Sequence, residues 1–256
     1  AVSTGLGDRT RLSTSLLAGL FNVRLGYWWR PGTHRGGQAG TYPTRSPWRR
    51  GWEAAFPVQA RLLEEWMGLF PGTDSTLWNL TDGGHFENTG AYELVRRRLP
   101  LVLLSDNGQD PDSALENLAN LVAKARTDFQ TEIRFLDEGE LTGLVGTGPG
   151  RRAFGTLTQL LDPKHTAVAT AAWLQYPTGA PGLLVVLKPT LAPDLPLDLR
   201  DYARQHPAFP QETTGDQFFD ERQWESYRKL GEVIATAALG DGLDGPATWL
   251  RSRLDA

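Results

Sequence analysis

Hydrophobic and polar positions along the chain follow two different periods. Residues 11–25 place Leu12, Leu16, Leu17, Leu20 and Phe21 at helical spacing. Residues 53–69 place Leu62, Leu63, Trp66 and Leu69 on a second stripe of the same kind. The stretch 31–51 between them is rich in Gly, Pro, Thr and Arg and predicts a long irregular loop. From residue 76 the texture changes. A short strand over 76–80 runs into Asp82-Gly83-Gly84, and 86–98 predicts a helix. Residues 99–104 are continuously apolar, as expected of a strand buried on both faces. A turn over 105–111 leads into an amphipathic helix over 113–129, with Leu115, Leu118, Val122, Ala125 and Phe129 on one face. A further strand covers 132–136. Strand, helix, strand, helix, strand in this order predicts an α/β sheet of mostly parallel strands.

The remainder is less regular. Residues 139–150 are Gly-rich and predict a loop. Strands over 166–176 and 183–187 are joined by Pro177-Thr178-Gly179-Ala180-Pro181-Gly182, which predicts a β-hairpin. A proline-rich connector over 189–207 holds one short helix. A long helix covers 216–239, with Thr213 or Thr214 as its cap, and a last helix covers 247–254. Phe218, Phe219, Trp224 and Tyr227 are expected on the core face of the long helix.

Composition narrows the function classes. The 256 residues carry a net charge of −4 and no cysteine. A disulfide framework, a Cys-ligated zinc site, a cysteine nucleophile and a thiolate cluster are thereby excluded. There is no signal-peptide pattern and no apolar run of the ~18 residues that a spanning helix needs. The first residue is Ala1 rather than Met, so the chain is expected to be processed or to be a fragment. Charge is unevenly spread. Residues 1–61 hold nine arginines, no lysine and only Asp8 and Glu53 as acids, a net +7 against −11 for the rest. The same segment holds Trp28, Trp29, Trp48 and Trp52, with Trp66 just beyond. Arginine interleaved with tryptophan makes an anionic membrane surface a candidate partner, the plainer alternative being a solvated Arg-rich surface over buried aromatics. No motif supports nucleic acid as a partner. The division expected is an Arg/Trp-rich helical and loop segment over 1–75, and then an α/β part over 76–256.

The segment with most chemistry is Asp82-Gly83-Gly84-His85-Phe86-Glu87-Asn88, after a strand and before a helix. An Asp at the end of a strand in an open α/β sheet sits on the edge where such folds place ligands. Two glycines after it allow a tight turn and close approach of a partner. A carboxylate there can be a proton acceptor, a metal ligand or a helix cap.

The stretch DGGHFENTGAYELVRRR closely resembles the Asp-Gly-Gly segment of bacterial patatin-like phospholipases, a branch of the serine acyl hydrolases. Residues 21–29 (FNVRLGYWW), 105–129 and 216–231 (DQFFDERQWESYRKLG) resemble the same family in the same order. The resemblance implies a three-layer α/β/α fold with a mostly parallel sheet, and a Ser/Asp dyad without histidine or cofactor. It makes Asp82 the base, with Gly83, Gly84, His85, Glu87 and Asn88 as motif support. A serine hydroxyl is a poor nucleophile until a neighbour takes its proton, and partial burial would raise the carboxylate's pKa toward that task.

The chain departs from the family in lacking any Gly-x-Ser-x-Gly. Gly146-Thr147-Gly148-Pro149-Gly150 has no serine and comes after Asp82 rather than before it. The Gly-rich oxyanion loop is absent too. The expectation is therefore the C-terminal portion of a lipid acyl hydrolase, inactive alone, whose nucleophile and first sheet strands lie in a missing N-terminal segment. Its substrates would be phospholipids or other acyl esters, and the whole protein would be membrane-associated. The alternative is a non-catalytic module of the same fold that binds a lipid surface or a partner. A metal site from Asp82, His85 and Glu87 lacks ligand spacing. His85 is expected to order the loop behind Asp82, and Glu87 to sit in the first helical turn. Asp106, Asp110 and Asp112 lack the EF-hand order and read as a solvated acidic turn.

Overall fold

The computed structural model describes residues 26–29, 51–52, 55–56, 59–60, 63, 67, 78–81, 83–192, 194–213, 215–216 and 218–239. Asp82, Thr214 and the helices expected over 11–25 and 247–254 lie outside these residues, as does most of 31–51 and 53–69. The chain divides into two compact units, Ala1–Phe86 and Glu87–Ala256.

In the first unit, β1 (Gly26–Trp29) and β2 (Trp78–Thr81) form a two-stranded antiparallel sheet, with Tyr27 opposite Leu80 and Trp29 opposite Trp78. Strand β2, expected as the first strand of the α/β sheet, has β1 as its ladder partner instead. Strand β1 gives no periodic signal, because three of its four residues are aromatic and nothing alternates. Trp52 and Phe56 are one helical turn apart, and their ring centroids lie 4.6 Å from each other.

The second unit is α/β. Its helices are α1 (Ala91–Arg96), α2 (Glu116–Phe129), α3 (Glu138–Val145), α4 (Leu157–Leu160), α5 (Leu197–Gln205) and α6 (Glu221–Leu239). Its strands are β3 (Leu101–Ser105), β4 (Glu132–Phe135), β5 (Ala169–Gln175) and β6 (Gly182–Leu187), hydrogen-bonded in the order β3-β6-β5-β4. The mostly parallel sheet is corrected here. Only β3 and β6 run parallel; β5 with β6 and β4 with β5 are antiparallel. The turn from Tyr176 to Pro181 is too short for a crossover, so β6 must fold back along β5. In the sheet β6, and not β4, the next strand in sequence, lies beside β3.

Both faces of the sheet are covered. Leu183, Val185 and Leu187 of β6 pack into one cluster with Leu199, Tyr202, Leu230 and Ile234. Leu184 and Val186 pack into a second with Val95, Leu118, Leu121 and Leu160. Every residue of β6 is buried, which is why it reads as an unbroken apolar run. The equally apolar β3 differs. It lies at the end of the strand order, its burial alternates, and Leu103 is 43% exposed. An edge strand has a neighbour on one side only, so its outer residues stay half open.

Local chemistry sets the helix ends. Residues 139–150, expected as loop, contain most of α3. Asp137 accepts the Glu140 N–H at 2.8 Å and Glu140 accepts the Asp137 N–H at 3.1 Å, a capping box that outweighs the two glycines. The Arg134 guanidinium and the Asp137 N–H hold the Glu140 carboxyl down to about 2. Helix α6 starts later than expected, at Glu221, because Asp220 caps it by accepting the Gln223 N–H at 2.7 Å. Thr213 instead accepts the Gly215 N–H.

Gly182 opens β6 where it must pass the chain entering β3. A Cβ there would stand 2.6 Å from the Leu99 carbonyl oxygen and 3.2 Å from the Tyr176 ring. That same carbonyl accepts the Tyr176 hydroxyl at 2.8 Å. Gly182→Ala is expected to destabilise the second unit by about 1–3 kcal/mol. A urea midpoint unchanged from wild type would contradict this.

Candidate functional site

The motif around Asp82 is legible on both sides of that residue. Strand β2 ends at Thr81, the residue before it, and Gly83–His85 forms a 3-10 turn just after it. Gly83 is exposed, and a Cβ on it would meet nothing within 4 Å, so the surrounding described residues do not demand glycine there. Of His85 only this backbone turn is described.

Glu87 and Asn88 begin the second unit. Glu87 is buried and precedes α1 rather than lying in its first turn. Its Oε1 accepts the Thr89 N–H at 2.8 Å and the Thr89 hydroxyl, and its Oε2 accepts the Tyr92 N–H at 3.2 Å. A buried carboxylate thus organises the entry to α1 from outside the helix. Gly90 makes the final bend, at φ 73°, a conformation that suits glycine.

From Asn88 a hydrogen-bonded path leads into the sheet. Asn88 Nδ2 donates to Asn117 Oδ1 at 3.3 Å, and Asn117 Nδ2 donates to Asp106 Oδ1 at 3.0 Å. Asp106 also accepts the Gly108 N–H at 3.2 Å, and its Oδ2 accepts from Lys188 Nζ at 3.1 Å. Lys188 Nζ is 3.4 Å from Asp110 Oδ2 as well. Asp110 in turn accepts the Ala114 and Leu115 N–H groups, at 2.8 and 3.0 Å, before α2.

Asp106 comes directly after β3 and Lys188 directly after β6. The cluster therefore caps the C-terminal ends of the two parallel strands, the edge where open α/β sheets place ligands. The solvated acidic turn is corrected by this geometry. Asp106 is 3% exposed and Lys188 4%, and only Asp112 of the three acids is solvent-exposed. Local sequence could not reveal it, because the counter-ion lies in another element. The available signal was a lysine closing the apolar run Leu183-Leu184-Val185-Val186-Leu187. A charge there is buried with its strand and needs a partner.

A wide cleft of about 1060 Å³ lies elsewhere in the second unit, lined by Arg151, Phe154, His165, Val168 and Val233 among others. Arg151 pairs with Glu138 and donates to Thr142 Oγ1 at 3.0 Å and the Phe154 carbonyl at 2.6 Å, so it braces the wall. His165 Nδ1 is buried without a hydrogen-bond partner among the described residues. Burial pushes the His165 imidazole below its usual 6.5, against the raising pull of the Ala167 backbone, Asp162 and Asp110. The unfolded chain then binds a proton near 6.5 that the folded chain refuses until a lower pH. Stability accordingly falls as pH drops through that window. The thermal midpoint of His165→Gln is expected to decline less than that of wild type between pH 7 and 5. Parallel declines would remove His165 as the source.

Among the described residues no group of three or more His, Cys, Asp or Glu is arranged to hold a metal ion. Among them, too, no helix is long and apolar enough to cross a membrane. Comparison of the chain with protein-family models, with curated proteins and with solved structures found no match in any of the three.

Proposed function

We propose that this chain is the C-terminal portion of a patatin-like lipid acyl hydrolase, with Asp82 as the base of a Ser/Asp dyad whose serine lies upstream. The observation that carries this reading is local. Asp82 stands between the end of β2 and a 3-10 turn, and Glu87 and Asn88 anchor the chain beyond that turn to the sheet unit. A base must hold one position relative to its nucleophile, and the Glu87 hydrogen bonds to Thr89 and Tyr92 fix the backbone that follows the turn. Gly83, with open space where a Cβ would stand, leaves room for close approach of substrate or serine. In the reaction Asp82 takes the serine proton as Oγ adds to the ester carbonyl, then passes it to the departing alcohol. Water repeats the sequence on the acyl-enzyme.

The test is labelling with a serine-reactive fluorophosphonate, alongside a short-chain ester assay. Both are run on this chain and on one extended upstream. Labelling and turnover only in the longer chain are expected. Labelling of this chain alone would place the nucleophile among its own serines and end the split-dyad reading.

One observation favours a second reading, a non-catalytic module that binds lipid surfaces or a partner through the Arg/Trp-rich segment. The Trp52 and Phe56 rings of that segment pack against each other at a tilt of 37° while remaining 43% and 45% exposed. Salt-sensitive binding to anionic vesicles, with no labelling of either chain, would select it.

A further inference from the structure

A groove of about 500 Å³ opens at the C-terminal ends of β3 and β6, lined there by Ser105, Asn107, Leu187 and Lys188. Helix α6 forms its other side through Tyr227, Leu230, Gly231 and Ile234. Pro189 and Pro210 contribute further apolar surface. Two more lining residues, Phe219 and Trp224, are themselves exposed; Trp224 is 66% exposed, and the adjoining Phe218 95%. The aromatic set expected in the core thus splits. Tyr227 packs edge-on against Phe209, with centroids 4.9 Å apart, while Phe218 and Trp224 face solvent.

Two features define what the groove can hold. The first is charge. Among the described residues Lys188 and Arg228 are the charged side chains that line it, and both are already paired. Lys188 is held by Asp106 and Asp110, and Arg228 by Glu225 at 2.7 Å and Glu232 at 3.1 Å. The Ser105 hydroxyl donates to Asn107 Oδ1 at 3.2 Å. An ionic group entering would lose its hydration without gaining a free counter-charge. The second is Gly231. It stands inside α6, where glycine costs about 1 kcal/mol relative to alanine. A Cβ on it would meet none of the described residues within 4 Å, so their packing does not require glycine. The residue keeps the groove open.

We infer that this groove holds the uncharged hydrocarbon chain of an acyl lipid. Its volume is that of a small-molecule site, and it lies on the sheet edge where such sites form. The preference for an uncharged hydrocarbon comes from the lining alone; that the hydrocarbon is an acyl chain rests on the acyl-hydrolase reading. The exposed Phe218 and Trp224 suit a lipid–water interface, where an aromatic ring partitions readily.

The probe is a monoacylglycerol brominated along its chain, held below its critical micelle concentration and added to the whole 256-residue chain. Bromine quenches a nearby indole. A saturable quench that disappears in Trp224→Phe is expected. Gly231→Leu fills the groove from a position with free space and replaces glycine within a helix, so it should fold at least as well as wild type. It should weaken binding by about tenfold or more. Quenching that survives Trp224→Phe, or wild-type affinity in Gly231→Leu, overturns the inference. So does a dimer in solution that excludes the lipid and that Gly231→Leu dissociates, since a second copy would then be the occupant. Binding is read without turnover, so failure of the dyad leaves this result standing. Conversely, Asp82-dependent turnover without quenching removes the groove alone.

Discussion

Lys188→Met is expected to lower the unfolding free energy of the second unit by about 3–5 kcal/mol, the range for removing one partner of a buried ion pair. Methionine keeps most of the stem volume, so the packing change is small. The loss is that of the ammonium facing Asp106 at 3.1 Å and Asp110 at 3.4 Å. Asp106, 3% exposed, is then left with the Gly108 N–H and the Asn117 amide as its side-chain partners among the described residues. The double variant Lys188→Met/Asp106→Asn removes both charges and should be clearly more stable than the single one, because the two effects are coupled. Urea unfolding of wild type, the two singles and the double measures that coupling. Additive effects would mean that the pair does not act as a unit.

In the upstream-extended chain, Asp82→Asn should lower ester turnover by about 10²–10⁴-fold, the usual worth of a general base. Asparagine keeps the shape and removes the proton acceptor, so the loss should fall on kcat, with KM nearly unchanged. The thermal midpoint should move little. Turnover within a factor of two of wild type would remove Asp82 from the chemistry.

Much of the second unit is legible in the sequence because its signals are local. The hairpin of β5 and β6 announces itself through two apolar runs and a Pro/Gly turn, and α2 ends at Phe129 as its stripe predicts. The errors share a cause. Apolar residues say that a strand is buried, but not which neighbour buries it. Leu99–Leu104 and Leu183–Leu187 look alike in sequence, yet β3 lies at the sheet edge and β6 within the sheet. The direction of β4 against β5 depends equally on partners remote in sequence. The same holds at the candidate site. Asp82 and its glycines form a contiguous motif, visible at once. Asp106 and Lys188 are 82 residues apart, and only the β3–β6 ladder brings them together. Phe218 and Trp224 mislead for different reasons: Phe218 precedes the start of α6 at Glu221, and for Trp224 helical spacing marks a shared face without showing that the face is covered.

The ladder between β3 and β6 also orders the folding of the second unit. Strand β5 meets β6 across a short turn, so those two can zip together early, with little chain entropy to overcome. Strand β3 is expected to join later. Its register joins Leu101 to Leu183 across a span that contains α2, β4, α3, α4 and β5. Closing so long a loop is repaid only once β6 is already in place to receive it. The buried lysine and aspartate at the ends of these strands would then close as a latch when β3 joins β6.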